Sequence, residues 1–267
     1  MTTDGSSYEN IVVTRENGIL TCTLNRPHVL NALSPAMFIE LQTLFGSLVN
    51  DNSVNVVVIT GAGRAFCAGG DVKLMANMEL TRGFEWPWTS IVDNVQFLQA
   101  MQSVPQPIIA SVNGDAVGAG SSIALSCDIV LAAETARFAD PHVRRGLVPP
   151  DGILAASLLT GLNRAKEYLL LGELITATEA ERIGLVNHVY PLVDLKSETD
   201  RLAEQLATGA TAAIRWTKQV LNKLVWDRWN LMVDGASAFE EISARTEDHD
   251  EGVNAFIEKR KPAFRGK

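Results

Sequence analysis

The chain of 267 residues is 46% hydrophobic and 20% charged, enough apolar content to bury one substantial core within the size of a single large domain. Its 23 Lys and Arg against 31 Asp and Glu leave a formal charge of −8, which repels phosphate backbones and anionic bilayers and argues against nucleic acid as a main partner. The cysteines Cys22, Cys67 and Cys127 are odd in number, far apart and set among apolar neighbours, so neither a disulfide framework nor a CxxC metal knuckle is available and reduced thiols are expected.

Met1 to Asn10 carry Asp4 and Glu9 but no basic residue and no apolar run, unlike a secretory or transit segment. Ile11 to Val13 and Ile19 to Leu24 are β-branched runs around Glu16-Asn17-Gly18, a strong hairpin signal. Ser34 and Pro35 then start an amphipathic helix with Met37, Leu41, Leu44 and Leu48 at helical spacing, Ser34 as N-cap and Pro35 as first residue. A buried strand is expected over Val54 to Thr60, followed by a glycine-rich turn. The pattern repeats with a helix over Val92 to Met101, a strand over Ile108 to Val112, a second glycine turn, a small-residue helix near Ser121 to Cys127 and a strand over Ile129 to Ala132. Alternating strands and helices imply β-α-β units. Although Val104 to Ala133 is rich in apolar residues, Asn113, Asp115, Asp128 and several glycines interrupt it, unlike a membrane span. Beyond Gly152 the periodicity is helical throughout: Ala165 to Leu171, Ala177 to Ile183, Leu192 to Leu206, Ala212 to Val225 and Trp229 to Ala244. The expected organisation is an α/β core followed by a helical C-terminal part that packs with it as one unit, in a soluble, cytoplasmic protein.

Both core turns carry glycines where a strand runs into a helix, which places helix-start N–H groups at the carboxyl edge of the sheet. The first is Gly61-Ala62-Gly63-Arg64-Ala65-Phe66-Cys67-Ala68-Gly69-Gly70-Asp71-Val72-Lys73, the second Asn113-Gly114-Asp115-Ala116-Val117-Gly118-Ala119-Gly120-Ser121-Ser122. Neither has the third glycine of a dinucleotide fingerprint or the Gly-Lys-Ser/Thr of a P-loop. No HExxH, EF-hand or clustered His/Cys spacing suggests a metal site.

Five motifs in order carry a resemblance. Asn25-Arg26-Pro27 with Leu30-Asn31-Ala32, Ala65 to Val72, Asn113-Gly114 with Gly118-Ala119-Gly120 and Cys127-Asp128-Ile129, Phe138-Ala139-Asp140-Pro141, and Ala255 to Arg260 together resemble the crotonase family of enoyl-CoA hydratases and isomerases. The resemblance covers essentially the whole chain. It implies an α/β fold with a β-β-α spiral core over 1–200 that holds the CoA site and a helical C-terminal trimerisation region over 201–267 packed on it, a homotrimer or dimer of trimers, an acyl-CoA thioester substrate, and no cofactor beyond the CoA that substrate carries. It further implies that the backbone N–H groups of Gly70 and Ala119 stabilise a thioester enolate. Arg26, His28, Ala68, Asp71, Val72 and Lys73 match CoA contacts. Phe256 and Lys259 match positions that reach the CoA of a neighbouring subunit, although by composition alone the basic segment Lys259 to Lys267 reads as a solvated tail.

The sequence departs from the family at its two catalytic glutamates, which are matched by Ser122 and His142. A serine hydroxyl is a poor general base, whereas imidazole, with an ordinary pKa of roughly 6.5, can take and return a proton. Asp151 offers a replacement carboxylate, with the N-cap of the following helix as its alternative role. Three activities stay open: isomerase-like or hydratase chemistry through an enolate, thioester hydrolysis by Ser122, His142 and Asp128 or Asp140, and acyl-CoA binding without turnover. Arg144 or Arg145, if turned inwards, would lower the imidazole pKa. Phe84, Trp86, Pro87 and Trp88 fall in a loop where they could meet the acyl chain or pack on protein, and Trp229, Val233 and Ala236 form an apolar stripe suited to an oligomer interface.

Overall fold

The computed structural model describes residues 2–3, 8–71 and 96–267. Val72, Lys73, the aromatic segment with Phe84, Trp86, Pro87 and Trp88, and the first residues of the helix expected from Val92 lie outside them; that helix is described as α2, over 96–103.

Among the described residues, eleven strands form two sheets. The larger contains β1 (Thr2–Thr3), β2 (Ile11–Glu16), β3 (Ile19–Leu24), β4 (Val56–Gly61), β6 (Ile108–Val112), β8 (Ile129–Ala133) and β11 (His188–Tyr190), paired in that order. The smaller contains β5 (Ala65–Cys67), β7 (Asp115–Val117), β9 (Arg137–Ala139) and β10 (Ile175–Thr176), in the order β10-β9-β7-β5. Glu16 pairs with Ile19, so the hairpin loop is Asn17-Gly18, and their φ values of 50° and 77° are the left-handed pair that a two-residue turn matched to strand twist requires. From β3 to β11 neighbouring strands run parallel, and β4 and β6 read as continuous apolar runs because both faces of their sheet are covered.

Helix α1 (Pro35–Leu48) begins as expected: Ser34 Oγ accepts from Met37 N at 3.3 Å, and Met37, Leu41, Leu44, Phe45 and Leu48 are buried. The others are α3 (Ala119–Leu125), α4 (Pro150–Leu159), α5 (Leu162–Leu171), α6 (Ala177–Ile183), α7 (Leu192–Ala207), α8 (Thr211–Ser243) and α9 (Glu247–Ile257). Among the described residues, no helix is long and apolar enough to cross a membrane.

Three expectations are corrected. The helices expected over Ala212 to Val225 and Trp229 to Ala244 are one helix of 33 residues, α8, because Trp226-Asp227-Arg228 contains no breaker. The C-terminal half is not purely helical, since β10 and β11 extend the two sheets with pairings too short to show periodicity. The division at 200/201 falls inside α7, whose Leu195, Thr199 and Ala203 are buried on the large sheet, with Thr199 Oγ1 2.9 Å from Ser111 Oγ. The stripe of Trp229 and Ala236 is likewise buried within the chain, whereas Trp216, Leu224, Leu231, Phe239 and Ile242 of the same helix are exposed.

The basic terminal segment is not a free tail. Arg260 pairs with Glu251, and the amides of Arg265 and Gly266 donate to the Asp248 carboxylate at 2.6 and 2.8 Å, folding the segment back along α9.

Asn31 organises the approach to the first glycine turn. It is fully buried at φ 57°, and its side-chain amide donates to the carbonyls of Ala62, Ala65 and Phe66 at 2.9, 2.9 and 3.2 Å while its Oδ1 accepts from Arg26 N. Asn31→Ala leaves these buried carbonyls short of donors and puts a side chain without local hydrogen bonds at positive φ. A loss of about 2–4 kcal/mol is expected in urea unfolding; an unchanged midpoint would remove this role.

Candidate active site

The two glycine turns meet. After β5, Gly69 has φ +89° and Gly118, between β7 and α3, has φ +55°, conformations that L side chains adopt only with strain. A Cβ placed on Gly69 would lie 2.7 Å from Val117 O and 3.7 Å from Ala119 N. Gly70 bridges Leu33 through Leu33 N to Gly69 O (2.8 Å) and Asp71 N to Leu33 O (3.1 Å), bonds that do not use its own N–H. Ala119 is the first residue of α3, where an N–H has no intrahelical acceptor. Among the described residues neither amide has a backbone acceptor. The positions expected to supply two free backbone donors are therefore brought to adjoining turns.

The turn bearing His142 adjoins them. A Cβ on Gly118 would stand 3.9 Å from Gly69 Cα and 4.0 Å from His142 Cε1. His142 opens a 3₁₀ turn, His142–Arg145, and its Nδ1 is hydrogen-bonded to Asp140 Oδ1, which also accepts from His142 N at 3.4 Å. Asp140 is 1% exposed, and its Oδ2 lies against Gly152, where a Cβ would come within 1.7 Å of it. Helix α9 holds the turn from outside: His249 Nδ1 is 2.8 Å from Arg145 O, and a Cβ on Gly252 would be 2.8 Å from Arg145 Cα.

Asp151 completes the cluster. It is not the N-cap of α4, a place taken by Pro149; it sits buried in the first turn, with Oδ1 accepting from Gly152 N at 3.0 Å. One ligand-type atom from each of Asp140, His142 and Asp151 lies within 4.8 Å of the others. These donor types also suit a metal ion, and two of the three, Asp140 and His142, are joined to each other as an ion pair.

Burial alone would discharge the imidazole. The charge and hydrogen bond of Asp140, with the charges of Asp151 and Glu240, outweigh it and push the His142 pKa up to about 10. Glu240, half-buried on α8, is pushed up to about 8 by burial and by the neighbouring Asp151, Asp140 and Glu241 carboxylates, against the favourable charge of His142. Near neutral pH the site thus holds an imidazolium and one protonated carboxyl. Both groups bind protons more tightly folded than unfolded, so stability is greatest below their unfolded values and falls as pH rises. The decline runs from the ordinary carboxyl pKa of 4.5 through about 8 for Glu240, and from 6.5 through about 10 for His142. In thermal melts Glu240→Gln is expected to flatten the lower window and His142→Gln the upper one; unaltered pH profiles would refute both assignments.

The other expected site residues separate into those drawn together and those not. Ser122 is buried, its hydroxyl donating to Gly118 O at 3.4 Å, and among the described residues no hydrogen bond joins it to His142. Asp128 lies elsewhere, accepting from Ile108 N and paired with Lys218 at 2.7 Å. Arg26 and Asp71 form an ion pair at 3.2 Å beside the first turn, with half-buried Ala68 next to it and His28 exposed on a turn at Pro27–Val29. Arg145 turns away from the imidazole, its guanidinium 4.1 Å from the ring centroid of Phe256, which is half exposed near the end of α9, with Lys259 just beyond. Sequence reasoning did not single out Glu240 or the site role of Gly152; nothing local marks a residue of a long helix that packs across α4.

Residues 14–267 match the family described as enoyl-CoA hydratase/isomerase. The chain belongs to that family. It is 36% identical to the short-chain-enoyl-CoA hydratase of Clostridium acetobutylicum, over 94% of this chain and 96% of that one. It is 33% identical to the 1,2-epoxyphenylacetyl-CoA isomerase of Escherichia coli, over 94% and 97%. The crystal structure of an enoyl-CoA hydratase from Mycobacterium avium subsp. paratuberculosis K-10 superposes with a TM-score of 0.87 at 30% identity, covering 97% of this chain and all of that one. The fold is accordingly the crotonase fold, with its helical C-terminal region, and the activity is acyl-CoA processing of the hydratase/isomerase type.

Proposed function

We propose that this family member moves a proton at the α carbon of an acyl-CoA thioester through an enolate, using His142 where its relatives use a glutamate. The observation that carries the reading is the pairing of half-buried His142 with buried Asp140 beside the second glycine turn, where a Cβ on Gly118 would stand 4.0 Å from His142 Cε1. The Gly70 and Ala119 amides hold the enolate oxygen, where fixed donors act most strongly on charge that develops during reaction. Asp140 engages Nδ1 and so presents Nε2–H to the substrate. Because the imidazole is charged near neutral pH, His142 meets the substrate as proton donor and the Asp151 carboxylate acts as acceptor. Double-bond migration needs this pair alone: Asp151 takes a proton from one end of the allylic system, His142 delivers one to the α carbon, and Asp151 then returns its proton to His142. Ser122, at the other glutamate position, keeps the second turn in place through its bond to Gly118 O.

Arg26, His28, Ala68 and Asp71, with Val72 and Lys73, bind the CoA moiety, and Phe256 and Lys259 reach the CoA of a neighbouring copy. CoA enters with the substrate, and no separate cofactor takes part. The protein acts in the cytoplasm as a homotrimer or dimer of trimers, a reading supported by the exposed apolar groups of α8. Sedimentation equilibrium is expected to return a multiple of three times the chain mass of 28.9 kDa; a single-chain mass at micromolar concentration contradicts it.

The test of the reaction is mass spectrometry of a panel of 2-enoyl-, 3-enoyl-, aryl- and saturated acyl-CoA thioesters incubated with the protein in deuterated water. Deuterium at the α carbon with a displaced double bond is expected. Release of free CoA would instead assign hydrolysis, and binding without any change across the panel would overturn turnover itself.

A further inference from the structure

We propose that Asp151 and Trp229 form a site for one hydroxyl oxygen beside His142: the attacking water of a hydration reaction and the 3-hydroxyl group that this water becomes. The inference rests on the enolate chemistry proposed above and extends it from proton transfer to water addition. Pro150, Asp151 and Leu154 from α4 and Trp229, Met232 and Val233 from α8 line a small cavity between the two helices. Asp151 and Trp229 bring the polar side-chain groups to this otherwise apolar wall.

Trp229 is 4% exposed, and its Nε1–H is buried with no acceptor among the described residues. A buried donor of this kind is costly unless something accepts from it. An indole N–H can only donate and an ionised carboxylate can only accept. A water or hydroxyl oxygen satisfies both, accepting from Trp229 and donating to Asp151, whereas a carbonyl would bring no proton to the carboxylate.

The place suits the chemistry, because Asp151 also lies within the cluster formed with Asp140 and His142. In the hydration step the water oxygen bonds to the β carbon of a 2-enoyl thioester while Asp151 takes one water proton. The π pair between the α and β carbons moves into the thioester, leaving an enolate on the Gly70 and Ala119 amides. The enolate pair then takes the Nε2 proton of His142 at the α carbon and the thioester carbonyl is restored. Transfer of the proton from Asp151 to His142 resets both groups, and one water has been added. Trp229 is a positioning residue in this scheme, since it holds the water and does not itself exchange a proton.

The experiment supplies 2-enoyl-CoA thioesters of short to long chain in water enriched in oxygen-18, and in parallel in deuterated water, reading label at the 3-hydroxyl and at the α carbon. Trp229→Phe keeps the ring and removes the N–H. It is expected to lower oxygen-18 uptake about tenfold or more while α-deuterium exchange from a saturated thioester changes less than about twofold. Should that variant fold poorly, calorimetry on the unaltered protein carries the test. A 3-hydroxyacyl-CoA is expected to bind about tenfold tighter than the saturated acyl-CoA of equal length. Equal binding of the two, or oxygen and deuterium uptake that fall together or not at all in Trp229→Phe, would overturn the site. Wild-type protein that exchanges α-deuterium but takes up no oxygen-18 would overturn the site and leave the enolate reading standing. Protein that does neither would overturn both.

Discussion

Ala119→Pro is expected to lower the rate of α-proton exchange by about 10²–10³-fold, the usual cost of losing one oxyanion donor, roughly 2.7–4 kcal/mol. The substitution acts on a single atom group. Ala119 is the first residue of α3, where proline's fixed φ fits a helix and the missing N–H breaks no helical bond. The backbone donor that side-chain replacement cannot reach is thus removed, while the short helix and its buried Ile123, Ala124 and Leu125 stay packed. Thermal denaturation should remain within a few degrees of wild type and CoA affinity should hold. A fully active Ala119→Pro protein would show that this amide carries no developing charge.

Asp140→Asn should have an effect of similar or larger size by a different route. Asp140 does two things for His142: it accepts from Nδ1, fixing which nitrogen faces the substrate, and its charge keeps the ring protonated against burial. Asparagine occupies the same volume against Gly152 but carries no charge. The imidazole pKa then falls and the ring is released from its tautomer, and a loss of about 10²–10⁴-fold in proton transfer is expected. Nuclear magnetic resonance titration of the His142 ring provides the independent check: the midpoint must drop in Asp140→Asn. A titration unmoved by the substitution would break the link between the buried aspartate and the charge on the ring.

The parts of the fold that were legible in the sequence are those set by neighbouring residues. Asn17-Gly18 fixes its hairpin and Ser34-Pro35 starts α1 because turn and cap chemistry is local. The second sheet was not legible, since β5, β7 and β9 are three-residue strands whose pairing depends on where the chain folds back. The same distinction runs through the site. Gly69 and Gly118 were visible as turn formers, and His142 as a base, because they sit in motifs. That His142 is a cation was hidden, although Asp140 is only two residues away, because the charge state depends on how deeply Asp140 is buried and on Asp151 and Glu240. Asp151 was open between cap and catalyst, and the helix start at Pro149 and Pro150 decided against the cap. Trp229 read as an interface stripe because helical periodicity shows which residues share a face and not which neighbour covers it.

The most direct test of the central claim is deuterium incorporation at the α carbon of a saturated acyl-CoA thioester, measured side by side for wild type and His142→Gln. A saturated chain offers no double bond to shift or hydrate, so exchange reports only enolate formation, with Asp151 taking the α proton and His142 delivering deuterium in its place. Wild type is expected to exchange the α proton and His142→Gln to lose that exchange by about 10²–10⁴-fold, with unchanged affinity for CoA. Equal exchange by the two proteins would place the acid–base chemistry on another residue and contradict the role given to His142.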